Sequence, residues 1–163
     1  MPVQGTKIVA DNIIAYGGGF LRNVDKVMKS VEKLLDDETK KNISLPYSLQ
    51  QLADLDHPYA KRHGAQGSGA VKPYYGVNIQ SGKLFAAEES GTVKASFSGT
   101  QLSAAAFVKI DEAQAPHALH VIFGTSKMIP RPVLVASRDN VVPVAYTLIK
   151  EKLRNFTVNF KPL

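Results

Sequence analysis

The chain has 163 residues, of which 20 are Lys or Arg and 14 are Asp or Glu, so its formal net charge is +6. It contains no cysteine, which excludes disulfides, thiolate zinc sites and cysteine nucleophiles among these residues. No stretch approaches the roughly 18 consecutive apolar residues that a membrane-spanning helix needs. The hydrophobic fraction of 44% and the charged fraction of 21% are typical of a globular protein, and the length predicts a single domain, 1–163.

The positive charge is unevenly distributed along the chain. Residues 131–163 hold six basic and two acidic side chains, and therefore +4 of the total of +6. Residues 57–87 hold no carboxylate, and their basic residues are Lys61, Arg62, Lys72 and Lys83. Segments of one charge sign can face phosphate or an acidic protein surface, although most are simply solvated. The charge pattern therefore leaves nucleic-acid contact open as an alternative.

The clearest predicted element is a long N-terminal helix over 20–41. Its apolar residues recur at steps of three and four: Phe20, Val24, Val27, Val31 and Leu34. Three consecutive glycines, 17–19, precede this stripe. Their spacing matches neither a dinucleotide-binding loop nor a P-loop, so they predict a flexible lead-in to the helix.

The region 44–80 is predicted to contain a short helix and a mobile basic loop. Ser48 and Gln51 have the spacing of a capping box, which predicts a helix from Ser48 to Leu55. Residues 61–70 then include three glycines, at 64, 67 and 69. Long loops of this kind inside a domain are usually functional or disordered.

A change to a period of two predicts a small, mostly antiparallel sheet over 83–123. Short strands are expected at 84–87 and 93–97, separated by a hairpin-like break at Gly91-Thr92. A longer strand is expected within 101–110. A last short strand is expected at 120–123.

Pro130-Arg131-Pro132 cannot lie inside a regular element, so it separates the sheet from a C-terminal helical region over 133–154. A helical turn is expected at 133–137, followed by a helix that Asn140 caps. Residues 155–163 are predicted to form an extended arm, with alternating apolar residues Phe156, Val158 and Phe160. The predicted fold class is α+β: a small antiparallel sheet packed with a long N-terminal helix and a C-terminal helix, plus a long Gly-rich loop.

The chain offers little chemistry for catalysis. His117 and His120 could share one face of a helix and bind a metal with Asp111 or Glu112, but surface or packing histidines are the favoured interpretation. No serine lies in a nucleophile elbow, and Glu88-Glu89 would point to opposite faces of a strand. The expectation is therefore a protein that is not an enzyme, with no catalytic residue, no metal and no cofactor.

The densest motif is Phe123-Gly124-Thr125-Ser126-Lys127-Met128, followed by Pro130-Arg131-Pro132 and a helix. Glycine permits a positive φ at the turn, and the two hydroxyls can satisfy free backbone groups. This stretch resembles the tail-completion (head–tail joining) family of tailed bacteriophages, in which an aromatic-Gly-Thr segment leads through a proline-containing joint to the last helix. Ser81-Gly82-Lys83-Leu84 is similar to the threonine-glycine-arginine-leucine segment of that family. The resemblance covers about residues 80–154.

The resemblance implies a structural virion protein of the phage neck. Such subunits form a ring, commonly of six copies, that joins the tail tube or terminator protein to the head connector or head-closure protein. Double-stranded DNA passes through the lumen without sequence specificity. The expected location is the virion, after assembly in the host bacterial cytoplasm, with no membrane contact. A head-closure or tail-terminator subunit, or a sequence-independent nucleic-acid-binding module, remains an alternative.

Three regions are the candidates for contact with partners or with the DNA channel. The basic residues Lys61, Arg62, Lys72 and Lys83 are expected to meet a partner ring or the DNA path. The joint residues Phe123, Gly124, Thr125, Lys127 and Arg131 are expected to hold the connection to the helix and to line a subunit interface. The arm residues Phe156, Val158 and Phe160 are expected to pack on a neighbouring chain. The competing interpretations are a solvated loop, a purely structural joint and a frayed terminus.

Overall fold

The computed structural model describes residues 4–45, 47–55, 60, 62, 64–68, 77, 82–126 and 130–159, with side chains from residue 16 to residue 155. These residues form an α+β fold, which confirms the predicted fold class. In chain order the elements are α1 (Gln4–Ile43), α2 (Leu49–Asp54), α3 (Lys83–Ala86), β1 (Glu88–Ser98), β2 (Gln101–Ile110), α4 (Ala118–Phe123) and α5 (Val133–Asn159).

Helix α1 begins well before the predicted start at residue 20. Gly17, Gly18 and Gly19 lie inside it, so the prediction of a flexible lead-in was wrong. Each glycine weakens a helix interior by about 1 kcal/mol relative to alanine, but extending a formed helix by one residue is far easier than nucleating one. The apolar stripe that follows the glycines supplies the packed helix from which this extension proceeds.

Replacing Gly17 by Ala is expected to stabilise the protein by about 0.5–1 kcal/mol, because alanine has the higher helix propensity. A Cβ at residue 17 would meet no atom within 4 Å, so no clash offsets the gain. Urea unfolding of the variant measures the change. Gly99→Ala is the opposite control, since Gly99 has φ +61° and alanine there is strained. Destabilisation by Gly17→Ala would show that α1 is not helical at this position.

The contacts of the chain divide it into two compact units. The hairpin unit comprises residues 1–35, 90–107 and 141–163, and the joint unit comprises residues 36–89 and 108–140. Each unit has its own buried cluster.

In the hairpin unit, the core consists of Val24, Val27 and Met28 on α1. The two strands contribute Ala95, Leu102 and Ala104 to this cluster, and α5 contributes Ile149 and Leu153. Two acidic side chains of α1 also hold β1: the Asp25 carboxylate accepts the backbone N–H of Ala95 at 2.7 Å, and Glu32 accepts the Ser90 hydroxyl at 2.9 Å. Apolar packing and directed hydrogen bonds therefore both fix the hairpin on α1.

The turn of the hairpin lies at Gly99-Thr100 and not at Gly91-Thr92, as the sequence predicted. The connection between β1 and β2 has two residues, and Gly99 has φ +61°, which favours glycine. Gly91 lies within β1, where a Cβ would be only 2.7 Å from Cζ of Phe107. The glycine at 91 thus makes room for an aromatic ring on the neighbouring strand.

In the joint unit, two segments predicted as strands are helices. Residues 83–86 form α3, and residues 118–123 form α4. The buried residues Ala118, Val121 and Ile122 of α4 recur at steps of three and four, which is the period of a helix. They pack with Ile43, Leu84, Ala87 and Val133. A four-residue apolar run has the same appearance in a buried strand and in a helix, which explains the error.

Helix α2 confirms the predicted capping box. The Ser48 hydroxyl accepts the N–H of Gln51 at 3.2 Å, and the Gln51 side chain accepts the N–H of Ser48 at 2.9 Å. Of the described residues in the predicted loop, Arg62 is helical, contrary to the prediction, and residues 64–68 lie against α2. Gln50 donates to the carbonyl of Gln66, and Gly67 comes so close to the carbonyl of Ala53 that a Cβ would clash. This close approach of the loop backbone to α2 leaves no room for a side chain, which explains the glycine at residue 67.

Helix α5 runs without a break from Val133 to Asn159 and contains Pro143. The sequence predicted a separate turn, a helix that starts at Asn140 and an extended arm from residue 155. Residues 155–159 are helical instead, and 160–163 lie outside the described residues. Ser137 anchors the part of α5 that precedes Pro143. Its side chain is fully buried, donates a hydrogen bond to the carbonyl of Val133 and accepts one from the Asn42 amide at 2.9 Å. The proline removes one backbone donor but does not end the helix.

Candidate functional site

The joint between α4 and α5 is built from backbone contacts. Gly124 ends α4 with φ 75°, a conformation that L-residues with a side chain rarely adopt. Within the segment Pro130-Arg131-Pro132, the N–H of Arg131 donates to the carbonyl of Val121 at 3.0 Å. The N–H of Val133 then donates to the carbonyl of Arg131 at 2.7 Å. The chain therefore returns to α4 before α5 starts.

A groove of about 260 Å³ lies within the joint unit, beside this joint. Its lining is mainly apolar and comes from the end of β2, from α4 and from the start of α5: Val108, Lys109, Ile110, Glu112, Ala118, Leu119, Ile122, Phe123 and Leu134. Two of these side chains are also exposed large hydrophobic residues, Leu119 and Phe123, and Phe123 is 73% exposed. Exposed apolar side chains around a groove are typical of a contact site for another molecule.

The polar part of the groove wall has defined ionic contacts. Lys109 Nζ lies 2.8 Å from Oε2 of Glu89, and this hydrogen bond raises the pKa of Lys109. Asp111, which lies in the chain between the lining residues Ile110 and Glu112, accepts the N–H of Ala113 and the side-chain amide of Gln114, each at 2.9 Å, and these bonds lower the pKa of Asp111. Within the described residues, Glu112 has neither an ion pair nor a side-chain hydrogen bond.

A buried ionic cluster forms a second polar feature of the joint unit. The Lys40 ammonium lies 2.8 Å from the Asp36 carboxylate and 3.5 Å from Oε2 of Glu88. The Glu88 side chain is only 1% exposed, and neither of its oxygens has a hydrogen-bond partner among the described residues. Burial raises the pKa of Glu88, and the neighbouring Asp36 charge raises it further. The hydrogen bond with Asp36 raises the pKa of Lys40.

The predicted contact residues have different surroundings in the structure. Arg62, Lys83, Phe123 and Thr125 are exposed, and Gly124 forms the turn. Arg131 is only 6% exposed, so within this chain it forms part of the joint and does not present a charged surface. Lys61, Lys72, Lys127 and Phe160 lie outside the described residues. Phe156 and Val158 lie in α5, where the structure describes their backbone but not their side chains.

The histidine pair is exposed. His117 is the N-cap residue of α4 and His120 lies within the helix. Among the described residues, no group of three His, Cys, Asp or Glu side chains could hold a metal ion. In the same part of the chain, no helix combines the length and the apolar character needed to cross a membrane.

Comparison with known proteins adds no relative. No family model, no curated protein and no solved structure matches this chain. The function must therefore be argued from the residues and their geometry.

Sequence reasoning identified the joint but missed the groove and the buried cluster. The groove requires α4 to be a helix that presents Leu119 and Phe123 one turn apart, and this segment was predicted as a strand. The cluster requires Glu88 to lie against α1. A signal for the pair on α1 was present, because Asp36 and Lys40 have the i, i+4 spacing of a helical ion pair. No signal in the sequence linked Glu88 to them.

Proposed function

We propose that this chain is a structural subunit of a phage neck, a ring-forming tail-completion protein that joins the tail tube to the head connector around the DNA channel. The joint carries this proposal: Phe123-Gly124-Thr125 ends α4, and Pro130-Arg131-Pro132 leads into a long final helix. This is the segment that resembles the tail-completion family. A head-closure or tail-terminator subunit of the same virion is the nearest alternative.

The exposed surface supports a role in assembly. Large hydrophobic side chains are exposed on the hairpin, on α4 and on α5: Val93, Phe97, Phe107, Leu119, Phe123, Val142, Val144 and Tyr146. Each unit therefore exposes large apolar side chains, which are the residues that protein contacts most often cover. A ring subunit needs two different contact surfaces, because head-to-tail association closes a ring only when unlike surfaces meet.

A channel through which DNA passes should not bind the duplex tightly. Of the predicted basic contacts, Arg62 and Lys83 are exposed, whereas Arg131 is buried. A sequence-independent binding protein needs an array of free cations, because each phosphate contact releases counterions and contributes to affinity. We therefore expect duplex binding that is weak and strongly dependent on salt. Tight binding at physiological salt favours the nucleic-acid-binding alternative.

Deletion of the gene for this chain from the genome that encodes it tests the proposal. We expect DNA-filled heads and complete tails that remain separate, visible by negative-stain electron microscopy. Supply of the protein from a plasmid should restore joined particles. A Phe123→Ser variant, supplied from the same plasmid, is compared with the parent for the number of joined particles, because it changes an exposed joint residue without disturbing the core. Particles that assemble normally without the protein, or a genome with no virion genes, would falsify the neck assignment.

A further inference from the structure

One side of α5 presents an apolar residue, an aromatic residue and a cation at intervals of one turn. Val142, Tyr146 and Lys150 follow at i, i+4 and i+8 and are all exposed, whereas the preceding residues Val141 and Ala145 are buried. Tyr146 is 68% exposed, the largest value among the described tyrosines. An aromatic side chain so open to water adds nothing to the core of its own chain. We call Val142, Tyr146 and Lys150 the α5 stripe.

The groove beside the joint has the size and chemistry to receive one aromatic side chain. Its volume of about 260 Å³ is smaller than the ~300–1,000 Å³ of typical small-molecule sites. Its lining is mainly apolar, and of its two charged lining residues Lys109 is already paired with Glu89, so little of the wall could orient a cofactor. Tyrosine is among the residues that most often anchor protein interfaces, because its ring buries a large area with little loss of conformational freedom.

Charge completes the match between the two surfaces. Glu112 on the groove wall and Lys150 on the α5 stripe are each without an ion pair within the described part of the chain. Lys150 lies about 6 Å along the helix from Tyr146, since each residue advances an α-helix by about 1.5 Å. With Tyr146 in the groove, the long Lys150 side chain can reach a carboxylate at the rim.

We propose that the α5 stripe of one copy binds the groove of a second copy, with Tyr146 between Leu119 and Phe123 and with Lys150 paired to Glu112. The contact is head to tail, because the two surfaces are different, so the copy that uses its stripe keeps a free groove and the copy that uses its groove keeps a free stripe. This inference rests on the proposed ring-forming function and names the surfaces through which neighbouring subunits meet.

Disulfide cross-linking tests the contact directly, since the chain has no cysteine of its own. The full-length variant Leu119→Cys/Val142→Cys is expected to form a ladder of dimers, trimers and higher species on mild oxidation. Each single variant should give no ladder. Leu119→Cys/Val144→Cys is the matched control: Val144 is also an exposed valine of α5, 55% against 54% for Val142, but it points to the opposite side of the helix.

Affinity gives a second measurement. Tyr146→Ala is expected to weaken self-association at least about 30-fold, the effect of losing one interface anchor. Tyr146→Phe should retain most of the affinity, because the groove is apolar. Glu112→Lys and Lys150→Glu should each weaken association, and their combination in one chain should restore it. Analytical ultracentrifugation measures all four variants.

The outcomes separate this inference from the proposed function. If the cysteine-free parent forms rings but the Leu119→Cys/Val142→Cys variant gives no ladder, the assigned surfaces are overturned and the ring-forming function stands. Equal ladders from the 142 and 144 pairs would also overturn the assignment. A parent that forms no ring, alone or with its connector and tail partners, together with no ladder, would overturn both.

Discussion

Replacing Lys40 by Met is expected to destabilise the protein by about 1–3 kcal/mol at pH 8 and by clearly less at pH 4.5, the ordinary pKa of a glutamate, which Glu88 exceeds. Breaking a buried ion pair typically costs about 3–5 kcal/mol, and the smaller figure applies because Lys40 is 39% exposed and partly screened by solvent. Without the ammonium, the Asp36 and Glu88 carboxylates repel each other in a poorly solvated position. At lower pH the buried Glu88 takes up a proton, and this repulsion is relieved. Urea unfolding at both pH values measures the difference.

Lys41→Met is the matched control for this experiment. Lys41 is the next residue of the same helix, is 69% exposed and pairs with Glu38 at 3.2 Å. An exposed pair of this kind contributes about 0.2–1 kcal/mol, so the control should change stability little at either pH. Equal losses for the two variants would show that the cluster around Lys40 is no different from a surface pair.

Glu88→Gln isolates the titration of the buried carboxyl. Because burial raises the pKa of Glu88 above its ordinary 4.5, the folded protein binds this proton more tightly than the unfolded chain. Its contribution to stability is therefore complete below about pH 4.5 and is lost as the pH rises through the folded-state pKa. Glutamine cannot ionise, so the variant should lose this part of the pH dependence and be at least as stable as the parent at pH 8. A variant less stable than the parent at pH 8 would contradict the raised pKa.

Replacing Ile122 by Ala is expected to destabilise the protein by about 2–5 kcal/mol, the range for large-to-small changes in a core. Ile122 is buried in the cluster that includes Val121 and Val133, and it also lines the groove. Deleting most of its side chain leaves a cavity that the surrounding helices fill only in part. Thermal and urea unfolding measure the loss.

The neighbouring residue provides the control. Phe123→Ala removes a larger side chain, but one that is mostly in water, so stability should change by about 0.5 kcal/mol or less. Self-association should nevertheless weaken, because Phe123 flanks the groove. A large loss of stability from Phe123→Ala would show that this ring packs in the core. No loss of association would separate Phe123 from the contact.

Whether the sequence predicted an element correctly depends on the length of that element. The stripe from Phe20 to Leu34 repeats often enough to determine a helix, and only its N-terminal extension through the glycines was missed. The runs at 84–87 and 120–123 are too short to show a period, and both are helical in a part of the chain predicted as sheet. The strands at 93–97 and 101–110 were correctly expected, but the hairpin turn was predicted at Gly91-Thr92 and lies at Gly99-Thr100.

The sequence by itself determined the α+β class, the α1 stripe, the α2 capping box and the absence of thiol chemistry. These features depend on composition or on residues within one or two turns of each other. Only the tertiary structure decided that Glu88 is buried beside Lys40 and that Arg131 belongs to the interior. It also decided that Leu119 and Phe123 flank a groove. Burial and charge pairing depend on residues distant in the chain, and no local pattern encodes which of them will meet.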